Sequence, residues 1–119
     1  MLIKDLMKCE EFVAGDETLL RELIHPDKEP LELRYSLAHA VVKPGNTSKL
    51  HQLTTSELYY ILEGEGLMRI GNESAAVRPG QAVYIPPNAP QCITNTGKID
   101  LKFICIVDPA WRKEDETVL

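Results

Sequence analysis

The residues able to do chemistry sit in two short stretches of the chain. The first, Gly45 to Gly64 (GNTSKLHQLTTSELYYILEG), carries the imidazole of His51 and, six positions on, the carboxylate of Glu57. The second, Gly80 to Asn95 (GQAVYIPPNAPQCITN), carries the amide of Gln91. Imidazole and carboxylate both offer a lone pair near neutral pH, which makes a His–carboxylate pair a starting point for a divalent metal site. One such pair is weak evidence by itself, because a lone histidine is more often structural than ligating.

For these side chains to meet, the elements bearing them must be extended. Side chains two apart on a strand share a face, so His51 and Leu53 point one way, and Glu57, Tyr59 and Ile61 form a second matched set. A turn at Thr54–Thr55–Ser56 brings the two sets into one barrel mouth, where Tyr59 can present a phenol beside Glu57. Leu31 to Val42 alternates with Leu37, His39 and Val41 on one face, so His39 is either a pocket residue or a core histidine. Tyr84 and Arg34 are weaker pocket candidates, and Tyr35 and Tyr60 read as packing residues.

Elsewhere the chain shows short apolar runs separated by turn residues. Thr18 to Ile24 suits either a short helix or a strand, and His25–Pro26 ends it. Glu57 to Leu62 and Ile99 to Val107 are apolar on both faces. Glu63 to Gly66, Gly71 to Glu73, Pro79–Gly80, Pro86 to Pro90 and Asn95 to Lys98 read as turns, the last of them a hairpin turn. About eight to ten short strands with almost no helical periodicity imply an all-β sandwich or barrel. The tail, Asp108 to Leu119, falls outside the pattern. Its Trp111, the sole tryptophan, reads as an anchor for the tail or for a second subunit, and its Glu114–Asp115–Glu116 run as a solvated segment.

Composition narrows the function. The chain has 119 residues, 44% hydrophobic and 26% charged, as in an ordinary globular domain. A net charge of −5 without clustered Lys or Arg argues against nucleic acid. No apolar run approaches bilayer length, and charge interrupts the N-terminal MLIKDLMKCEEF too early for a signal peptide, so a cytoplasmic protein is expected. The three cysteines, Cys9, Cys92 and Cys105, lack any C-x-x-C spacing, and the last two read as small hydrophobes.

Taken together, the two stretches resemble the motifs of the cupin superfamily, and of its small, single-domain conserved-barrel members. The first family motif is matched by Gly45, five residues, His51–Gln52–Leu53, three residues, Glu57, six residues and Gly64. The second is matched by Gly80, five residues, Pro86–Pro87–Asn88, two residues, Gln91, three residues and Asn95. The resemblance implies a double-stranded β-helix, the cupin jelly-roll barrel, in one domain spanning residues 1–119, with the barrel at about 31–107 and a tail at 108–119. It also implies a homodimer, which would cover the two-sided apolar strands.

The chain departs from the family where metal would bind. Leu53 and Gln91 stand where two of the usual ligand histidines would be, and leucine cannot ligate. Three readings stay open. Either His51, Glu57 and Gln91 still hold a divalent ion (Zn, Mn, Fe or Ni), or they line a metal-free pocket, or Glu57 and Gln91 are simply a buried pair. The first implies a metal-dependent isomerase, lyase, decarboxylase or dioxygenase acting on a small polar metabolite, with Glu57 or Tyr59 handling a proton. The second implies a non-catalytic module for a sugar or carboxylate. In either case the pocket centres on His51, Glu57 and Gln91, with Leu53, His39, Ile61 and Tyr84 around it.

Overall fold

The computed structural model describes residues 1–119 and is built almost wholly of strands. They are β1 (Glu11–Val13), β2 (Leu19–Ile24), β3 (Ser36–Val42), β4 (His51–Leu53), β5 (Ser56–Glu63), β6 (Gly66–Ile70), β7 (Glu73–Val77), β8 (Ala82–Ile85), β9 (Gln91–Asn95), β10 (Leu101–Asp108) and β11 (Glu116–Val118). Two antiparallel sheets face each other: a six-stranded one in the order β1-β2-β3-β10-β5-β8, and a five-stranded one in the order β11-β4-β9-β6-β7. This is the double-stranded β-helix that the resemblance implies.

Sheet membership corrects several local readings. Thr18 to Ile24 resolves as strand, paired with β1 and β3. The Asn95–Lys98 segment is not a hairpin, because β9 and β10 lie in different sheets, and the Glu63–Gly66 connection likewise crosses from one sheet to the other. Gly64 makes that crossing at φ +83°, where a Cβ would stand 2.6 Å from the Asp100 carbonyl oxygen. The second motif carries Asn88 at φ 66° where the family has glycine, a conformation asparagine tolerates better than most residues. At the end of that motif Asn95 is fully engaged: Nδ2 donates to the Val42 and Ile99 carbonyls at 2.8 and 2.7 Å, and Oδ1 accepts from the Gly97 amide at 2.9 Å.

Side-chain size is graded along the inner face of the larger sheet. β10 runs antiparallel to β3 and β5, pairing Val107 with Ser36 and Glu57, and Phe103 with Ala40 and Ile61. At one end the inner positions are bulky and apolar: Val42, Ile61, Leu101 and Phe103 pack with Met68, Val77, Ile85 and Ile93 into the core. At the other end they are small or polar: Ser36, Ala38, Glu57, Cys105 and Val107. Small side chains cannot fill the space between sheets about 10 Å apart, so one end of the barrel is packed and the other is hollow.

β3 turns out inverted relative to the sequence expectation. The strand starts at Ser36, and residues 31–35 belong to no strand. Its cavity-side face is Ser36, Ala38 and Ala40, while Leu37, His39 and Val41 lie on the opposite face of the sheet, where His39 and Val41 are buried as well. Hydrophobicity pointed to the wrong face because a cavity wall selects small residues rather than large apolar ones. The tail also departs from expectation: β11 pairs with β4, adding an eleventh strand to the barrel.

Candidate functional site

The hollow end encloses a cavity of about 580 Å³. β3, β5 and β10 form one wall, and His51 and Leu53 of β4 contribute the opposite one. The lead-in (Phe12 to Thr18) and the tail (Trp111 to Glu116) contribute further lining residues. Tyr59 and Phe103 stack at its floor, ring centroids 4.4 Å apart.

His51 is 3% exposed, and its Nδ1 lies 2.7 Å from the Lys49 carbonyl oxygen. A carbonyl only accepts, so Nδ1 carries a proton and Nε2 is the ring nitrogen left toward the cavity. Nε2 stands 3.6 Å from Asp16 Oδ2, beyond hydrogen-bond reach. The other Asp16 oxygen is occupied, accepting from the Thr18 amide at 3.1 Å and its hydroxyl at 2.7 Å.

Glu57 is 7% exposed and accepts at Oε1 from Gln91 Nε2 at 2.7 Å. Burial pushes its carboxyl from 4.5 up to about 8, opposed by the Gln91 hydrogen bond and reinforced by Asp16 and Glu116. Near neutral pH Glu57 is therefore mainly the neutral acid. Gln91, with no exposed surface, bridges Glu57 to Tyr59, accepting the phenol proton at Oε1 over 3.0 Å. Burial raises the Tyr59 phenol well above its ordinary value, so Tyr59 orients Gln91 through its proton instead of losing it.

The structure brings His51, Glu57, Tyr59 and Gln91 together. Leu53, His51, Glu57 and Tyr59 line the cavity, whereas Gln91 stands behind Glu57 and does not. Four further candidates lie elsewhere. His39 sits on the outer face, where burial first, then Lys102 and Arg21, hold its imidazole below the ordinary value. Ile61 belongs to the packed core, one step past Tyr59. Tyr84 is 59% exposed, since β8 turns Val83 and Ile85 inward instead. Arg34 pairs with Asp108 on the surface through two 2.7 Å hydrogen bonds.

Four residues that the motifs do not mark also line the cavity: Asp16, His25, Trp111 and Glu116. His25 accepts the Asp27 amide at Nδ1 over 3.1 Å and donates from Nε2 to the Trp111 carbonyl at 2.7 Å, which ties the tail to the lead-in. Trp111 Nε1 donates to Glu116 Oε2 at 3.3 Å. Register sets Glu116 opposite Leu53, a cavity-facing position, so it turns inward rather than into solvent. Burial raises its carboxyl, with His51 pulling the other way. The only sequence signal for these residues was the anchoring role of Trp111.

The donors do not fit a divalent ion. The Gln91 amide is engaged at both ends, and Leu53 offers no lone pair. No three His, Cys, Asp or Glu side chains are grouped so that they could hold one.

The family model described as "Cupin domain" matches residues 38–107. An uncharacterised protein of Methanocaldococcus jannaschii is 40% identical over 113 residues, covering 94% of this chain and 90% of its own. An oxalate-binding protein of Thermotoga maritima is 30% identical over 71 residues, 59% of each chain. Among solved structures, the nucleoside dehydratase Pac13 superposes with a TM-score of 0.80 at 16% identity, covering all of this chain and 91% of that one, a likeness of fold alone. No helix is long and apolar enough to cross a membrane.

Proposed function

The chain belongs to the cupin family, and from the way its pocket departs from the family's ligand set we propose that it works without a metal, binding a small polar metabolite and moving a proton on it. One observation carries this reading. Glu57, held neutral by burial, keeps one carboxyl oxygen free of protein partners, and it shares a cavity with an imidazole whose Nε2 makes no hydrogen bond.

A proton donor and a proton acceptor on one bound molecule suffice for elimination of water or for isomerisation, with no oxidant or reductant needed. Glu57 gives its proton to an oxygen of the ligand, and His51 Nε2 takes one from a neighbouring atom. A carboxyl poised near 8 suits transfer close to pH 7, and histidine is the side chain most often used for it. Gln91 and Tyr59 act as positioning residues, because they hold the Glu57 carboxyl through its other oxygen. The apolar walls exclude water and strengthen every polar contact inside.

Metal analysis of protein purified without a histidine tag tests the reading. After incubation with Mn, Fe, Ni and Zn and gel filtration, the native chain is expected to retain no stoichiometric ion. The double variant Leu53→His/Gln91→His, which supplies the two missing imidazoles, is expected to take up close to one per chain. An ion retained near one per native chain, and lost in Glu57→Ala, refutes the proposal.

A further inference from the structure

The aromatic side chains of this protein are unevenly placed. Both phenylalanines, the sole tryptophan and one tyrosine line the cavity: Phe12, Phe103, Trp111 and Tyr59. The other tyrosines, Tyr35, Tyr60 and Tyr84, are exposed outside it. Tyr59 and Phe103 are buried at the floor, whereas Phe12 and Trp111 stand at the mouth, 42 and 37% exposed. Trp111 is nevertheless held in place. Its amide donates to Ser36 Oγ at 3.0 Å, and its indole Nε1 to Glu116 Oε2 at 3.3 Å.

Between these rings the wall is made of small side chains. Across β3 and β10, Ala38 stands opposite Cys105 and Ala40 opposite Phe103, and both alanines border the void. Its volume of about 580 Å³ lies within the range of pockets that enclose ring-sized organic ligands. A small dicarboxylic acid would leave much of that space to water, against walls that give water few partners. Polar atoms without a protein hydrogen bond come from β4 and β5. They are His51 Nε2 and the second carboxyl oxygen of Glu57, whose side chain is only 7% exposed.

We propose, building on the metal-free reading above, that the ligand is a hydroxylated aromatic ring system, with its hydroxyl at Glu57 beside His51, its flat body against Tyr59, Phe103 and the alanines of β3, and its far edge at Phe12 and Trp111. A hydroxyl both donates and accepts, so it pairs with the Glu57 oxygen whether or not that oxygen carries the proton. Offset and edge-on ring pairs add to the gain from burying apolar area, whereas a saturated body of the same size has the burial alone. Ala38 then sets how large a body is admitted, because any longer side chain there occupies the seat.

The test uses neutral probes, so that charge plays no part: 2-naphthol, its saturated counterpart decahydro-2-naphthol, and myo-inositol. Each is titrated calorimetrically into the full chain with and without EDTA. 2-Naphthol is expected to bind at least about tenfold more tightly than decahydro-2-naphthol, which corresponds to about 1.4 kcal/mol, and myo-inositol more weakly than either. Trp111→Leu is expected to weaken 2-naphthol several-fold and leave phenol, too short to reach the mouth, unchanged. Ala38→Leu is expected to weaken 2-naphthol at least as much while keeping the native urea midpoint, since its added carbons enter a void. Should that variant melt early, Trp111→Leu decides alone. Equal or tighter binding of decahydro-2-naphthol or myo-inositol, no 2-naphthol binding, or native 2-naphthol affinity in Trp111→Leu overturns the inference. If a rival probe's lead survives EDTA, only the inference fails. If EDTA abolishes that lead, a metal held the probe and the metal-free reading fails as well.

Discussion

Replacing Glu57 by Gln provides the sharpest check on the electrostatics of the site. Glutamine keeps the shape and the acceptor oxygen for Gln91 Nε2, and removes only the titration. In the unfolded chain the carboxyl ionises near 4.5, and in the folded chain at about 8. Between those values the folded state holds a proton that the unfolded state has released, so stability must fall as pH rises across the window. Below 4.5 both states are protonated and the full stability is present; above about 8 both are ionised and the loss is complete. At 1.36 kcal/mol per pH unit the gap amounts to about 5 kcal/mol, a large share of the 5–15 kcal/mol that holds a typical domain together. Urea melts of native and Glu57→Gln protein at half-unit steps from pH 4 to 9 measure it. Other titrating groups, including Glu116 and His39, affect both proteins, so the difference between the two curves isolates Glu57. That difference is expected to grow in the variant's favour as pH rises and to level off above about 8. Parallel curves would mean that Glu57 ionises normally, and the proton-donor role would go with them.

Two further outcomes follow from contacts elsewhere. Gln91→Leu strands the Glu57 Oε1 and Tyr59 hydroxyl partners in the interior and is expected to lower stability by about 2–4 kcal/mol; a urea melt within 0.5 kcal/mol of native would show that the bridge carries no weight. On the outer sheet face Leu58, Tyr60 and Leu62 of β5 are exposed by 42, 47 and 42%, and Tyr84 adjoins Leu58 across β8. A row of this kind is larger than scattered surface residues, and a second copy of the chain is expected to cover it: sedimentation should give two chains for the native protein and one for Leu58→Glu. A single-chain native mass refutes it.

What could be read in advance, and what could not, has a physical pattern. The barrel was legible through the family resemblance that the spacing of Gly45, His51, Glu57 and Gly64, matched by Gly80 through Asn95, carries. The convergence of His51, Glu57, Tyr59 and Gln91 follows from the same spacing. The face of β3 was misjudged because apolar alternation identifies buried faces, and Ser36, Ala38 and Ala40 border a void instead. Tyr84 was misplaced because phenols suit inner and outer faces of a strand alike. Asp16 and Glu116 gave no signal: they lie in or beside strands of three to six residues, too short for periodicity, and their partners are far away along the chain.

That distance has a consequence for how the site forms. His51 on β4 faces Asp16, 35 positions earlier by numbering, and pairs with Val118, 67 positions later. β4 itself joins its inner neighbour β9 by a single residue pair, His51 with Gln91. Contacts between such remote segments close the longest loops and come late in folding. The pocket is thus a product of the finished chain, absent from any partly folded form. A ligand seated there grips three remote segments at once and binds only the folded state, so it should slow hydrogen exchange most at the β4 and β11 amides, the ones least well held in its absence.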